Sequence, residues 1–465
     1  MFMIGGQRVA SRTVLLVLTD LGLILLALLL ATSIRFVHWK ASAAYLTSPG
    51  VAYRILLVAL ACELALYYHD LYNVQVVRDR TEFLVRLLQA LGTACLGLAL
   101  LYFTDPDHSL GRGIVLIAAP FVFFLLLTWR LTTDHLGLFL MMPQRILVIG
   151  TGPAGISLVR EIVARPELNL KVVGFLDEKG ENIGKSLVNP RIIGGVAELE
   201  EIASREKVDR VVLSFAERRG NMPVRQLLDL KFAGIGVQDA YTVWEQVSGR
   251  IPIDHLSPSW LILSEGFRKP KLLMAAKRVF DFIVALIGLI LTSPIMLVTG
   301  LAIWLESGSP ILFRQERTGM NARPFEILKF RSMHQNAEQH GPAWAKDGDH
   351  RATSVGRLIR KLRFDELPQF INVLRGEMSL VGPRPERPVF CEMLEQEIPF
   401  YVQRQSVRPG VTGWAQIKYQ YGSSVEESRT KLEYDLFYIK HMSFLLDLVI
   451  MFETVKVLIT GRGAK

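Results

Sequence analysis

Long apolar stretches separated by short polar connections fill the first 140 residues. Four of them, roughly 13–36, 49–69, 83–103 and 113–133, have the length of about 20 residues that a helix needs to cross a bilayer. The pattern predicts a membrane bundle of four transmembrane helices over residues 1–140. The first stretch resembles a signal peptide, but it is too long and further spans follow, so we expect an uncleaved helix.

The positive charges between these stretches indicate how the bundle is oriented. Arg8 and Arg12 precede the first stretch, and Arg78, Arg80 and Arg86 cluster in the second connection. Because basic residues favour the cytoplasmic side of a membrane, we expect both ends of the bundle there. The chain should therefore be a multi-pass membrane protein whose soluble parts face the cytoplasm.

Asp20 and Glu63 fall inside two of the apolar stretches, where ionisable side chains are often functional. We favour the simpler interpretation that they lie near the membrane interfaces or hydrogen-bond between helices. In the second case each carboxyl group should have a partner within the bundle.

The composition agrees with a membrane protein that has a soluble middle part. Half of the residues are hydrophobic although 21% are charged, because the apolar residues concentrate in the first 140 residues and again near 280–305. The net charge of +9 suits anionic lipid and anionic substrates. Nucleic acid is not an expected partner, because no basic stripe is interleaved with aromatic residues. Cys62, Cys95 and Cys391 provide neither a disulfide framework nor a metal cluster.

Short buried strands and helices alternate after the bundle and predict a parallel α/β domain of the Rossmann type over residues 144–265. Gly150, Gly152 and Gly155 follow the first strand and open a helix, the context of a phosphate-binding glycine turn. Asp177 ends the second strand later than the usual spacing of about 20 residues, so it meets a ribose only if the intervening loop is long. Two interpretations stay open: the turn binds a regulatory nucleotide, or the fold is a vestigial spacer.

A fifth apolar stretch, residues 279–305, has Ser293 and Pro294 at its centre. A proline inside a helix removes a hydrogen bond and bends the helix, and length alone does not separate a kinked span from a hairpin. A full crossing would put the rest of the chain outside, away from nucleotide-activated substrates. We therefore expect a re-entrant helix that enters and leaves on the cytoplasmic face. The backbone groups that the proline frees then need a partner, and the Ser293 hydroxyl is the candidate.

Two adjacent carboxylates, Asp365 and Glu366, lie among basic residues ahead of an apolar run with helical spacing. Neighbouring side chains on a helix diverge by roughly 100°, so the two are poorly placed as opposed acid and base on one bond. A better division makes one a nucleophile and the other a metal ligand, with cations that bind phosphate oxygens. Lys329, Arg360 and Arg384 are the candidate cations. The plain alternative is the charged, capped start of a helix.

A turn-rich loop near residue 410 is the candidate nucleotide or substrate loop. Its backbone amides could meet a phosphate and its indole could stack on a base, and the alternative is an ordinary structural loop. The residues concerned are Arg408, Pro409, Gly410, Thr412 and Trp414.

Weaker signals surround these motifs. Asp347–Asp349 matches the Asp-x-Asp metal motif of many glycosyltransferases, but its position in a polar loop argues against a metal site. His334, His340 and His350 share that polar region, and we expect them to be solvated rather than metal ligands. Residues 443–460 suggest an amphipathic helix at a membrane interface.

The motifs of the C-terminal part resemble those of the polyprenyl-phosphate hexose-1-phosphate transferases in their long-chain bacterial form. The likeness is close over residues 271–465, and the first 270 residues are similar to the accessory half of that class. The motifs are, in order, Lys277–Asp281, Ser293–Pro294, Lys329–Met333, Asp365–Gln369, Asn372–Ser379, Val381–Pro385 and Arg408–Gln416.

The resemblance implies a fold of three parts: a membrane α-helical bundle, an α/β Rossmann-like domain, and an α/β monotopic phosphoglycosyl transferase domain with a re-entrant membrane helix. It also implies a bacterial inner-membrane enzyme that binds a UDP-hexose with Mg²⁺ near Glu366. Asp365 would attack the phosphorus that bears the sugar, and UMP would leave. Undecaprenyl phosphate would then take the phosphosugar from Asp365, which initiates synthesis of an exopolysaccharide or O-antigen-type repeat unit.

Two other functions compete with this enzyme. A nucleotide-sugar dehydratase built on the glycine turn would need a Tyr-x-x-x-Lys pair, and no tyrosine of the chain has a lysine four residues on. A membrane-anchored scaffold that senses nucleotide sugars through the α/β domain is compatible with catalysis. The residues reveal neither the hexose nor the polysaccharide, and they leave open whether the chain forms a homo-oligomer.

Overall fold

The computed structural model consists of a helical bundle, a doubly wound α/β domain and a C-terminal α/β domain, in chain order. Two short antiparallel strands, β1 (Phe2–Ile4) and β2 (Gln7–Val9), precede the bundle. The structure describes residues 2–4, 7–9, 11–36, 38–72, 80–140, 143–178, 180–215, 222–253, 261–262, 264–334, 351–419 and 424–460.

Long apolar helices form the bundle, as the hydrophobic pattern predicts. They are α1 (Ser11–Phe36), α2 (Trp39–Leu46), α3 (Val51–Tyr68), α4 (Arg80–Thr104) and α5 (Arg112–Leu140). α1 packs along α5 and α3 along α4, around one buried apolar core. In the described part of the chain five helices are long and apolar enough to cross a membrane, four of them in this bundle. The chain is therefore a membrane protein.

The two acidic side chains inside the predicted spans both have partners. Asp20 on α1 forms a buried ion pair with Arg130 on α5. Glu63 on α3 accepts a hydrogen bond of 2.6 Å from the hydroxyl of Tyr72, in the turn that follows α3. These contacts agree with a structural role for both carboxyl groups in the packing of the bundle.

Five parallel strands form the sheet of the middle domain. They are β3 (Gln144–Ile149), β4 (Leu170–Asp177), β5 (Ile192–Gly195), β6 (Arg210–Leu213) and β7 (Gly236–Asp239). The spatial order β5-β4-β3-β6-β7 reverses between β3 and β6, where doubly wound sheets commonly bind ligands. Four helices cover the two faces: α6 (Pro153–Ala164), α7 (Leu199–Arg205), α8 (Val224–Phe232) and α9 (Ala240–Ser248). α6 and α9 cover one face, and α7 and α8 cover the other.

The C-terminal domain combines short strands with helices. Its strands are the antiparallel pair β8 (Leu312–Thr318) and β9 (Pro324–Phe330), and the parallel pair β10 (Ser379–Val381) and β11 (Gly410–Thr412). Its helices are α10 (Lys271–Ser307), α11 (Ser354–Lys361), α12 (Gln369–Arg375), α13 (Pro388–Glu397), α14 (Trp414–Lys418), α15 (Val425–His441) and α16 (Phe444–Thr460).

The last residues of the middle domain are built into the C-terminal domain. Ile251 and Ile253 are buried in the hydrophobic core that α12, α14 and α15 share. Glu245 on α9 forms an ion pair of 2.7 Å with Lys440 on α15. The C-terminal core therefore includes residues from the segment that the sequence pattern assigned to the middle domain.

Pro294 lies within α10, which runs as one helix of 37 residues. A proline has no amide hydrogen, so Pro294 leaves the carbonyl of Ile290 without its usual helical donor. The Ser293 hydroxyl donates to that carbonyl at 2.7 Å. The serine thus satisfies the group that the proline frees, as the sequence suggested.

Both ends of α10 contact the domain that follows it. Near the start, Arg278 donates from Nη2 to the carbonyl of Leu374 on α12 at 2.9 Å. Near the end, Glu306 accepts a hydrogen bond of 2.8 Å from the amide of Ser354 on α11. Between these contacts apolar side chains point outward, and Leu297 is 76% exposed. Apolar surface of this kind indicates contact with lipid.

Candidate active site

The acidic pair lies on a single turn of 3-10 helix between α11 and α12. α11 ends at Lys361, and Arg363 then adopts a left-handed backbone conformation with φ of +59°, which redirects the chain. Such a conformation is uncommon for residues other than glycine and tends to occur at functional sites. The turn Phe364–Glu366 follows, and Pro368 is the N-cap residue of α12.

Two of the predicted cations contact the same oxygen atom of the predicted carboxylate Glu366. Lys329 Nζ lies 3.1 Å and Arg384 Nη2 lies 2.9 Å from Oε1 of Glu366. Lys329 comes from β9 and Arg384 from the turn after β10, which are 37 and 18 residues from Glu366 in the sequence. Two cations on one carboxylate oxygen create a concentration of positive charge that suits phosphate oxygens as ligands.

The two carboxyl groups of the pair have different electrostatic environments. Burial raises the pKa of Asp365 to about 6, and the adjacent charge of Glu366 acts in the same direction against the nearby cations. Burial also acts to raise the pKa of Glu366, but the charges of Lys329 and Arg384 outweigh it and hold that pKa well below its usual range. Glu366 is therefore ionised at physiological pH, and Asp365 is the group that titrates close to it.

Asp365 differs from a carboxylate with a structural role in its hydrogen bonding. Its Oδ1 is buried and has no hydrogen-bond partner among the residues that the structure describes. Asp281 offers a contrast, because its carboxylate accepts hydrogen bonds from the Ser379 hydroxyl (2.7 Å) and the Leu380 amide (3.4 Å). A buried and unpaired carboxylate oxygen next to a cationic pocket can attack an electrophile that the cations bind.

Asn372 holds the strand that carries Lys329 against the helix that follows the acidic pair. Its Oδ1 accepts from the amide of Leu328 at 3.0 Å, and its Nδ2 donates to the carbonyl of Glu326 at 2.7 Å. The side chain is fully buried. Asn372 thereby fixes the position of Lys329 relative to Glu366, a role that its place in a sequence motif did not reveal.

A divalent cation is a further component that the sequence predicts for this site. Among the described residues no group of three or more His, Cys, Asp or Glu side chains could hold a metal ion. Mg²⁺ is commonly held by only one or two carboxylates, together with substrate phosphates and water. Glu366 is the carboxylate that would hold the ion here, and the unpaired Oδ1 of Asp365 beside it marks a polar position that the protein itself does not bond. The motif Asp347–Asp349, His340 and His350 lie outside the described residues.

Two other predicted cations do not reach the oxygen that Lys329 and Arg384 share. Arg360 lies in the last turn of α11, and its side chain makes no hydrogen bond or ion pair with the described residues. Arg408 donates from Nε to the carbonyl of Gly376 at 3.0 Å. Because Gly376 ends α12, this bond caps that helix, and contact of Arg408 with a nucleotide stays a prediction.

The indole predicted to stack on a base is turned inward. Trp414 is 3% exposed, and its Nε1 donates to the carbonyl of Gly249 at 2.8 Å. The Thr412 hydroxyl is hydrogen-bonded to the hydroxyl of Thr454 at 2.7 Å. These contacts correct the interpretation of Trp414 as a stacking surface, because the ring is buried in protein.

The rest of the same loop pairs closely with β10. The carbonyl of Pro409 accepts from the amide of Ser379 at 2.8 Å. A Cβ at Gly410 would lie 2.1 Å from the backbone nitrogen of Gly382, which leaves room only for glycine. The loop thus anchors the turn that carries Arg384, and its contact with a nucleotide stays a prediction.

The glycine turn of the middle domain has its predicted position. Gly150 has a φ of +95° and Gly152 is the N-cap residue of α6, next to the point at which the strand order reverses. A Cβ at Gly155 would lie 2.6 Å from the hydroxyl oxygen of Ser214, so the helix approaches the sheet closely there. Asp177 accepts hydrogen bonds from amides of the loop that follows it. Nucleotide binding by this turn stays a prediction.

Two family models match the chain. The model described as bacterial sugar transferase matches residues 272–461, which contain the acidic pair and both cations that contact Glu366. The model described as CoA-binding domain matches residues 68–228, which include the glycine turn.

Curated relatives match the chain at substantial identity. The UDP-N-acetylgalactosamine-undecaprenyl-phosphate N-acetylgalactosaminephosphotransferase of Aeromonas hydrophila is 47% identical over 52% of this chain and 56% of its own length. The undecaprenyl-phosphate glucose phosphotransferase of Komagataeibacter xylinus is 34% identical over 69% of this chain and 60% of its own length. The UDP-glucose:undecaprenyl-phosphate glucose-1-phosphate transferase of Caulobacter vibrioides is 43% identical over 46% of this chain and 81% of its own length.

The chain spans less than two thirds of the length of the first two of these relatives, and more than two thirds of the third. The match to the bacterial sugar transferase model extends through the motifs on which the resemblance to polyprenyl-phosphate hexose-1-phosphate transferases depends. That resemblance is confirmed, and the chain belongs to the bacterial sugar transferase family.

Proposed function

We propose that the chain transfers a hexose 1-phosphate from a UDP-hexose to undecaprenyl phosphate and releases UMP. The observation that carries the proposal is the convergence of Lys329 and Arg384 on Glu366, beside the unpaired carboxylate oxygen of Asp365. The names of the relatives support it, since each describes sugar-phosphate transfer to undecaprenyl phosphate. Those names include both glucose and N-acetylgalactosamine, so the sugar of this chain stays open between them.

In the first step an oxygen of Asp365 attacks the phosphorus that bears the sugar. A bond forms between that phosphorus and Asp365, the bond to the bridging oxygen breaks, and UMP leaves with the electron pair. Lys329 and Arg384 exchange Glu366 for diphosphate oxygens, which offsets the repulsion between a carboxylate and a charged diphosphate. Mg²⁺ held at the acidic pair would supply further positive charge to the same oxygens.

In the second step an oxygen of undecaprenyl phosphate attacks the phosphorus of the phosphosugar–aspartate. The bond to Asp365 breaks, the carboxylate is restored, and the product is a lipid diphosphate that carries the sugar. A carboxylate is a good leaving group from phosphorus, so the same residue serves as nucleophile and as leaving group. The two steps place both substrates at one site in succession.

The course of α10 through the membrane determines whether the lipid phosphate can reach this site. Near the start of α10, Arg278 donates to the carbonyl of Leu374 on α12, and in its last turn Glu306 accepts from the amide of Ser354 on α11. A domain on one side of the membrane that contacts both ends of a helix supports a re-entrant course. We propose that α10 enters the inner leaflet of the bacterial inner membrane and returns to the cytoplasmic face.

α16 supports the same placement. Phe444, Leu448 and Phe452 are exposed along this helix, whereas Asp447 is buried and forms an ion pair of 2.7 Å with Lys277 at the start of α10. The apolar face of α16 and the entry of α10 are thus fixed together. This arrangement suits a helix that lies in the headgroup region beside the re-entrant segment.

UMP release tests the proposed function directly. The full chain in membranes that contain undecaprenyl phosphate should release UMP from UDP-glucose or from UDP-N-acetylgalactosamine, with formation of a lipid-linked sugar. Release should require the lipid phosphate for multiple turnovers, because Asp365 remains occupied without it. Failure to release UMP from any member of a panel of UDP-hexoses would overturn the proposal.

We expect the rate to fall as the pH drops through about 6, the pKa to which burial raises Asp365. A carboxylate attacks phosphorus only when it is deprotonated, so acid removes the nucleophile while Glu366 stays ionised. Below this pKa, kcat/KM for the UDP-hexose should decrease about tenfold per pH unit, and above it the rate should level off. Initial rates of UMP release in buffers that span this range measure the profile. A rate that stays constant well below the pKa would contradict the assignment.

A further inference from the structure

The backbone of the turn that carries Arg384 is held at every carbonyl. From residue 383 to residue 386, each carbonyl accepts a hydrogen bond from a residue outside the turn. The pairs are Gly410 N to Pro383 O (2.9 Å), Arg404 Nη2 to Arg384 O (2.9 Å), Arg317 Nη1 to Pro385 O (3.2 Å) and Thr318 N to Glu386 O (2.9 Å). The carbonyl of the residue that contacts Glu366 is therefore the one that Arg404 holds.

Arg404 is itself held from three sides. It is 8% exposed, and its Nε and Nη2 lie 3.1 and 2.8 Å from Oδ2 of Asp435 on α15. Its Nη1 donates to the hydroxyl of Tyr401 at 2.7 Å. Together with the bond to Arg384, these contacts use four of the five N–H groups of a guanidinium. Arg404 thus has little capacity left for a phosphate, although it lies close to the site.

The ion pair between Arg404 and Asp435 is buried, since Asp435 is 2% exposed. Buried ion pairs often contribute little to stability compared with apolar residues of the same volume, because both charges lose their hydration. In some proteins such a pair instead fixes one geometry among several that are close in energy. Here the geometry that the pair fixes is the position of the Arg384 backbone, and hence the reach of its guanidinium.

We propose that Arg404 and Asp435 are positioning residues, which hold the Arg384 carbonyl so that the Arg384 guanidinium reaches the pocket at Glu366. This role rests on the proposed transferase function. Arg404 acts through Arg384 and not on the substrate. A planar guanidinium is required because it bonds Asp435, Tyr401 and the carbonyl at once, whereas a lysine ammonium has one centre and does not span all three.

A double-mutant cycle tests the role with the full chain in lipid nanodiscs that contain undecaprenyl phosphate. Arg404→Lys retains a positive charge beside Asp435 but loses the bond to Arg384. We expect kcat for UMP release to fall by at least about tenfold, with a smaller change in KM for the UDP-hexose. In an Arg384→Ala background the same substitution should change kcat by less than about twofold, because the residue through which it acts is gone.

A second buried arginine provides the matched control. Arg210 in the middle domain donates to Gln238 at 2.8 Å and contacts no part of the Arg384 turn. Any fold-decrease in kcat caused by Arg210→Lys should be the same with and without Arg384→Ala. If Arg404→Lys lowers the unfolding midpoint enough to reduce the folded fraction, Tyr401→Phe removes one bond to Arg404 without a change of charge and enters the same cycle.

The outcomes separate this role from the proposed function. Suppose that the wild-type chain releases UMP and that the kcat losses of Arg404→Lys and Arg384→Ala multiply independently in the double mutant. This result would overturn the positioning role alone. An unchanged kcat in Arg404→Lys would do the same. A wild-type chain that releases no UMP would overturn the proposed function and this role with it.

Discussion

Asp365→Asn is expected to abolish UMP release and the covalent attachment of the phosphosugar to the chain. The amide has nearly the shape of the carboxylate, so the turn and the contacts of Glu366 with Lys329 and Arg384 are retained. An amide oxygen is a poor nucleophile, and a loss of at least about 10³-fold in kcat is expected when the attacking group is removed. UMP release gives the rate, and label from a UDP-hexose carrying a radioactive sugar, retained on the acid-quenched chain, gives the intermediate.

An exposed aspartate in another domain provides the control for that substitution. Asp229 lies on α8 of the middle domain, and Asp229→Asn should leave both UMP release and labelling unchanged. Peptide mapping of the labelled wild-type chain should place the phosphosugar on Asp365. Label on Glu366 would show that Glu366, and not Asp365, is the nucleophile. Full turnover by Asp365→Asn would refute covalent catalysis by Asp365.

The residues that carry the proposed chemistry could be named from the sequence, because they are charged residues within motifs that occur in a fixed order along the chain. Lys329, Glu366 and Arg384 belong to three separate motifs, and the structure brings them to one oxygen atom. Their convergence was not derivable from spacing alone. It depends on Asn372, which bonds β9 to α12, and on the pairing of β10 with β11.

Side-chain orientation is the feature that the sequence predicted least well. Arg408 and Trp414 have the residue types of nucleotide ligands, yet both donate to backbone carbonyls, those of Gly376 and Gly249. Buried carbonyl groups at a helix end or a domain junction require donors, and these two side chains supply them. Composition shows that a donor is present, but only the fold shows which acceptor it meets.

The hydrophobic pattern predicted the elements more reliably than their partners. The four membrane stretches and the alternation of the middle domain correspond to helices and strands in the structure. Periodicity reports which face of an element is buried but not what covers it. Ile251 and Ile253 therefore looked like the end of the middle domain, whereas they complete the core of the C-terminal domain. The left-handed conformation of Arg363 was equally invisible, because it is imposed by the surrounding fold.

Single-cysteine labelling is expected to place residues before and after α10 on the same side of the membrane. Three exposed positions serve as probes in a background in which Cys62, Cys95 and Cys391 are all replaced by serine. They are Glu201 in the middle domain, Glu316 after α10, and Ala43 between the first two spans. In intact spheroplasts a membrane-impermeant maleimide should label Ala43→Cys, and should leave Glu201→Cys and Glu316→Cys unlabelled. After permeabilisation all three should react, because each position is exposed.

The contacts of α10 are the reason why we expect Glu201 and Glu316 on the same side of the membrane. A helix that crossed the membrane would carry residue 316 to the periplasmic side, and the C-terminal domain could not then contact both Arg278 and Glu306 from the cytoplasm. The acidic pair would also face a compartment without UDP-hexose. Labelling of Glu316→Cys in intact spheroplasts, with Glu201→Cys protected, would therefore refute both the re-entrant course and the proposed donor. Protection of both positions would mean that one face of the membrane supplies the UDP-hexose and the lipid phosphate to Asp365.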